Sequence, residues 1–198
     1  MTPRRGSGRA LRIHACLVAA VLVAGCGDPP NKEMDQAQGA IDAARAAGAD
    51  RYASTEYTAA TDALKRAQDD VGQRDYRQAL NEALDSREHA QNAAREAADA
   101  RAQLRGEVER DMAQIAALIA EANTRLNAAT RARVPRRTID GPRRELAAVD
   151  ESVQKAGAAM RADDYLAART ELQGVRVRIE KAMQALPAAA SQSLRRVR

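Results

Sequence analysis

Few side chains in this sequence are of types that do chemistry. There are two cysteines, Cys16 and Cys26, and two histidines, His14 and His89. His89 stands beside Arg87 and Glu88 and reads as part of a solvated helix face. No second histidine or free thiol follows that could join it in a zinc site. Gly-x-Ser-x-Gly, P-loop and dinucleotide fingerprints are all missing. Acidic residues alternate with Arg and Lys, the pattern of exposed i,i+4 pairs rather than of carboxylates set apart for acid–base work. One charge cluster stands out. Arg131, Arg133, Arg136, Arg137, Arg143 and Arg144 face only Asp140 between residues 131 and 144. Guanidinium groups at that density suit the phosphates or carboxylates of lipid heads, lipopolysaccharide or cell-wall polymer. Arg133, Arg136, Arg137, Arg143 and Arg144 are the candidate anion-binding residues, and a solvated loop in an Arg-rich composition is the competing reading. No stacking aromatics accompany the cluster, which argues against nucleic acid. The expectation is a chain with no catalytic residues, no metal and no cofactor.

Cys26 has a more specific context. Residues 1–12 carry four Arg and no acid, and an apolar run of 11 residues follows, Ala15 to Gly25. A membrane-spanning helix needs about 20 residues, so the run is short for a span and has the form of a secretory signal peptide. The run closes on Leu22-Val23-Ala24-Gly25-Cys26. This resembles the bacterial lipobox. The resemblance implies cleavage between Gly25 and Cys26, a diacylglycerol on the Cys26 thiol and an acyl chain on its new amino group. One acyl chain holds a protein only marginally, and several hold it stably. An ordinary secreted protein with a chance cysteine, or twin-arginine export through Arg4-Arg5, is the alternative. Gly27 would be the second residue of the mature chain. In well-studied Gram-negative sorting an Asp there keeps lipoproteins in the inner membrane, so Gly27 implies the outer membrane, facing the periplasm. Removal of residues 1–25 lowers the formal net charge from +5 to +1. The basic sequence pI of about 9.6 therefore owes much to the leader. Cys16 leaves with the signal and Cys26 is acylated, so no thiol remains for a disulfide.

These residues need elements to hold them, and composition says which. The chain has 47 Ala in 198 residues, no Phe, no Trp and four Tyr. That is a helix-former's alphabet with little β-favouring bulk. Gly27 to Asn31 reads as a polar tether whose Pro pair holds the domain off the lipid. Apolar residues then recur at steps of three and four, the mark of amphipathic helices. Met34, Ala37, Ile41 and Ala44 mark a first helix over about 32–47, capped by Gly48. Tyr57, Ala60, Leu64, Ala67 and Val71 mark a second from Ser54 to Gly72. Asp75 caps a third, whose inward series runs from Tyr76, Ala79, Leu80, Ala83 and Leu84 to Leu126. Gly106 interrupts it without a phase slip, which predicts one helix over about 76–131, roughly 84 Å long at 1.5 Å per residue. A tight reversal at Gly106 is the alternative. Two prolines and Asp140-Gly141 predict a loop over 132–142, with Asp140 capping a helix that starts at Pro142. Leu146, Val149, Val153, Ala156 and Met160 mark that helix, and Tyr165 to Leu186 mark a last one ending at Pro187.

Two of these series coincide at one offset. Adding 89 to Tyr57, Ala60, Leu64, Ala67, Val71, Tyr76, Ala79 and Ala83 gives Leu146, Val149, Val153, Ala156, Met160, Tyr165, Ala168 and Leu172. The turns match as well, Arg74-Asp75-Tyr76 against Asp163-Asp164-Tyr165. In each, the Asp can cap the following helix and the Tyr can cover the end of the hairpin. The expected fold is all-α: antiparallel hairpins forming elongated three-helix bundles on a shared long helix, behind a cleaved signal peptide. Its divisions would be a leader over 1–25, a lipidated tether over 26–31, a hairpin and long helix over 32–131, an Arg/Pro loop over 132–142, a hairpin over 143–187 and a flexible basic tail over 188–198.

The segment from Ala46 to about Ala98 carries Tyr52-Ala53, a helix, Gly72-Gln73-Arg74-Asp75-Tyr76 and an Ala/Glu/Arg-rich helix. It resembles the domain of unknown function 4398 (DUF4398). That family occurs in bacterial envelope lipoproteins, often ahead of a peptidoglycan-binding domain of the outer-membrane-protein-A type. The chain departs from the pattern in carrying no such domain, so the resemblance gives no ground for expecting peptidoglycan binding. The lipobox, the Pro tether and the uninterrupted apolar phase together point to a lipid-anchored helical scaffold or protein-interaction module with an envelope protein as partner.

Overall fold

The computed structural model describes residues 27–187. Gly25, Cys26 and the expected tail over 188–198 lie outside the described residues. The fold is all-α, and every regular element among the described residues is a helix. In chain order these are α1 (Asn31–Ala46), α2 (Ala49–Tyr52), α3 (Ser54–Gly72), α4 (Tyr76–Arg131), α5 (Arg136–Arg161), α6 (Tyr165–Leu172) and α7 (Val175–Gln184). The chain forms two compact units, Met1–Ala98 and Asp99–Arg198, and the border falls within α4.

The first unit holds α1, α2, α3 and the start of α4. Its core is mostly alanine, with Ala37, Ala44, Ala60, Ala90, Ala93 and Ala97 wholly buried around Ile41 and Leu64. Methyl groups bury little area each, so the gain comes from backbones that approach closely. Ser86 of α4 reports that closeness. It is fully buried, and its hydroxyl donates to the Ala60 carbonyl of α3 at 2.8 Å. The second unit holds the rest of α4 with α5, α6 and α7. Its core uses larger side chains, among them Val108, Ile115, Leu146, Val149, Val175 and Ile179.

The hairpin turns repeat as their sequences do. After α3, the Arg74 N–H reaches the Val71 carbonyl at 3.0 Å and the Asp75 N–H the Asp70 carbonyl at 2.9 Å. After α5, Asp163 reaches Met160 at 3.2 Å and Asp164 reaches Ala159 at 2.9 Å. Arg74 and Asp163 both take left-handed backbones, φ 64° and 56°. This is the Schellman closure, in which a left-handed residue lets its own amide and the next one satisfy the helix's last carbonyls. The next residue then opens the following helix. Asp75 accepts from the Gln78 N–H and Asp164 from the Ala167 N–H, each at 3.1 Å.

The structure corrects several expectations. The tether is not free: Pro30 is buried, and its carbonyl accepts from the Met34 N–H at 3.0 Å. Residues 49–52 form the short helix α2 behind Gly48, whose φ is 85°. The loop expected over 132–142 shrinks to 132–135. Pro135 is the N-cap of α5, so Asp140 and Gly141 are helical and Asp140 caps nothing at Pro142. Pro142 lies inside the helix and is buried, at the cost of the amide that would have met the Thr138 carbonyl. Buried Ile139 anchors this added first turn to the core. The last expected helix is two, because Gly174 takes φ 75° between α6 and α7. Leu84, expected inward, is 38% exposed. The long helix runs through Gly106 without a break.

Two glycines therefore respond oppositely to alanine. Gly174→Ala forces a Cβ into a left-handed backbone and lowers stability by about 1–2 kcal/mol. At Gly106 an added Cβ meets only the end of the Arg110 side chain at 3.6 Å, so Gly106→Ala raises stability by about 0.5–1 kcal/mol. Urea unfolding midpoints of the two variants check both signs.

The second turn also sets a pH dependence. The hydroxyl of Tyr165, a buried residue, donates to Asp163 Oδ1 at 2.6 Å. That hydrogen bond, together with burial and the Asp163 charge, raises the phenol above its ordinary value, against smaller opposing effects of Arg105 and Arg101. The folded state thus keeps a proton that the unfolded chain releases near pH 10. The contribution is whole below that value and is lost as pH rises through the folded titration. Tyr165→Phe flattens the alkaline limb of a stability–pH curve measured by denaturant unfolding.

Candidate functional site

The arginine cluster begins where α4 ends. The Arg133 N–H meets the Thr130 carbonyl and the Val134 N–H the Ala129 carbonyl, each at 3.1 Å. Arg133 is left-handed, φ 55°, so this is a third turn of the hairpin type. Here no aspartate follows. Pro135 opens α5 instead, with no side-chain cap and no acid in the first turn. The amides of Arg136 and Arg137 have no intrahelical partner by position, and the helix macrodipole makes this end positive.

Arg133, Arg136 and Arg143 line one cleft of about 610 Å3, together with Thr130, Ile139 and Asp140. Residues 136, 140 and 143 share a helix face by their spacing. Arg137 and Arg144 are exposed but do not line the cleft. Five expected arginines thus resolve into three that converge and two that do not. Asp140 offsets part of the charge from within the cleft. The arrangement offers three convergent guanidinium groups, the kind of donor that can hold an anion.

His89 is more engaged than its neighbours in sequence implied. Its Nδ1 lies 2.8 Å from Glu56 Oε2, linking α4 to α3. Arg66 and Glu82 join the same two helices at 2.8 Å. In the second unit Arg178 of α7 meets Glu145 of α5 at 2.5 Å. Such partners stand far apart in sequence, and only the register of packed helices brings them together. Among the described residues no group of three or more His, Cys, Asp or Glu could hold a metal ion. No helix among them is long and apolar enough to cross a membrane.

The elements define an all-helical protein built on capped hairpins. Within it, residues 32–108 match the family model described as Domain of unknown function (DUF4398). The match extends the resemblance past Ala46 and Ala98 on both sides. It takes in α1 and reaches Val108 on α4. No curated protein and no solved structure matches the chain.

Proposed function

We propose that this chain is a lipid-anchored helical lipoprotein of the bacterial envelope. It faces the periplasm from the outer membrane and acts as a non-catalytic scaffold or protein-interaction module. The observation that carries the reading is Leu22-Val23-Ala24-Gly25-Cys26 behind a basic, then apolar, leader. The family resemblance over residues 32–108 and the all-helical fold support it. Its partner would be another envelope protein. Cells fed a labelled fatty acid should incorporate it into the wild type. Cys26→Ser should abolish incorporation and leave the precursor uncut or the product free of membranes. A Cys26→Ser protein that is still trimmed and membrane-bound sinks the anchor.

A second reading is favoured by the convergence of Arg133, Arg136 and Arg143 at an uncapped helix start. The cleft would bind anionic groups of lipid or cell-wall polymer. Replacing these three with Gln should weaken binding to purified lipopolysaccharide by tenfold or more, on the order of 1.4 kcal/mol, and added salt should mimic the loss. Replacing Arg137 and Arg144 should do much less. Equal losses from both variants would point to general charge and remove the cleft from the reading.

A further inference from the structure

The chain emerges from its undescribed first 26 residues at a particular place on the first unit. Gly27 and Asp28 line a cleft of about 440 Å3 with Arg74, Asp75, Tyr76, Arg77 and Leu80. This is the turn between α3 and α4. Pro30, three residues on, is buried, so the segment is held against the unit and does not swing from it. Gly27, which lines this cleft, directly follows Cys26 in sequence, so acyl chains carried on Cys26 would be joined to the chain one residue before the cleft.

The surface beside the cleft is suited to such a position. Tyr76, Leu80 and Leu84 recur every four residues and share one face of α4. Tyr76 and Leu80 are half-buried, and Leu84 is 38% exposed. Arg74 and Arg77 flank the start of this stripe, both exposed. Among the described residues no ion pair engages either guanidinium. A half-buried tyrosine, leucines beside it and arginines at its edge are the side chains that settle at the headgroup level of a bilayer. Asp28 and Asp75 also line the cleft. Both carboxylates moderate the basic charge, Asp75 while its Oδ1 also accepts from the Gln78 N–H to cap α4.

We infer that the first unit docks on the phospholipid surface by its α3–α4 turn, with Arg74 and Arg77 on lipid phosphates and Tyr76 and Leu80 at the interface. The inference rests on acylation at Cys26. The anchor and the docked face then act together: the acyl chains hold the protein at the membrane, and the turn fixes which end of the unit meets it. A tether that lifted the domain away from the lipid would leave this stripe in water.

The experiment uses the full mature protein, purified from membranes and placed in phosphatidylethanolamine–phosphatidylglycerol vesicles. An environment-sensitive fluorophore is attached at Leu80→Cys, and in a second protein at Asp62→Cys, exposed on α3. Gln73→Cys in the turn replaces Leu80→Cys if that substitution disturbs packing. Docking predicts that the label at the turn shifts to the blue and is quenched several-fold more by a lipid-borne nitroxide than the label at residue 62. Arg74→Gln with Arg77→Gln should cut that difference by at least half while the protein stays bound. Acylated Cys26 by mass analysis, with equal quenching at both positions, overturns the docking and leaves the anchor standing. Unmodified Cys26 takes down both. A blue shift without lipid quenching, together with crosslinking to another polypeptide at the turn, means that a protein covers the stripe, and this also overturns the docking.

Discussion

A helix bundle without Phe or Trp has to find its cohesion in methyl groups and backbone proximity. Burial at about 25 cal/mol per Å2 rewards area, and an alanine has little to offer. The first unit answers with closeness. Its seam positions are Ala60, Ala90, Ala93 and Ala97, all wholly buried, and Ser86 is small enough to reach a neighbouring helix's backbone. Any longer side chain on that seam would force the helices apart, and overpacking typically costs about 1–3 kcal/mol. The second unit answers the same problem differently. Val149, Val175, Ile179, Ala182 and Leu186 stand 89 residues beyond Ala60, Ser86, Ala90, Ala93 and Ala97, and all are buried. Four of the five are larger than their counterparts. One register of buried positions is filled twice, once for close approach and once for area.

That register depends on the turns. A hairpin of two helices must satisfy the last carbonyls of one and the first amides of the other within three residues. Here one residue goes left-handed and its neighbour serves both helices. The Asp75 amide closes α3 while its carboxylate opens α4, and Asp164 does the same for α5 and α6. Because both jobs fall on one residue, the length of the turn is fixed, and so is the phase in which the second helix leaves it. Tyr76 and Tyr165 then begin their helices in the same phase, although Tyr165 is buried and Tyr76 is only half so.

The helices were legible in the sequence because their apolar spacing is regular and long. Gly106 did not mislead, since a lone glycine costs an α-helix about 1 kcal/mol and the apolar series of α4 continues across it. Gly174 did, for the opposite reason. Leu172, Val175 and Ile179 keep helical phase across the break, so periodicity alone is blind to it. Pro142 misled through its type. A proline seven residues into α5 is tolerated there because only one amide is lost and Ile139, Pro142 and Leu146 all reach the core. As for the cleft, the arginines could be read as a group, but which three converge follows from α5 starting at Arg136 and not at Pro142. Starting the helix one and a half turns earlier places Arg136, Asp140 and Arg143 on a common face. His89 with Glu56, and Arg178 with Glu145, lay beyond reach because each pair spans 33 residues.

Helix electrostatics separates arginines that the fold explains from those it does not. Arg74 and Arg133 sit just past the C-terminal ends of α3 and α4, where the macrodipole favours a cation. That gain offsets part of the strain of a left-handed residue bearing a Cβ, so neither arginine needs a ligand to justify it. Arg77, Arg136 and Arg137 lie in the first turns of α4 and α5, where the macrodipole disfavours them. At α4 the Asp75 carboxylate caps the helix and lessens the conflict. At α5 the cap is a proline, the first turn has no acid, and the nearest one, Asp140, lies a turn further on. A positive helix end carrying two arginines, with Arg133 and Arg143 brought to the same cleft, is an arrangement that an anion would relieve. The case for anion binding therefore rests less on how many arginines the segment has than on Arg136, a cation set where its own helix repels it.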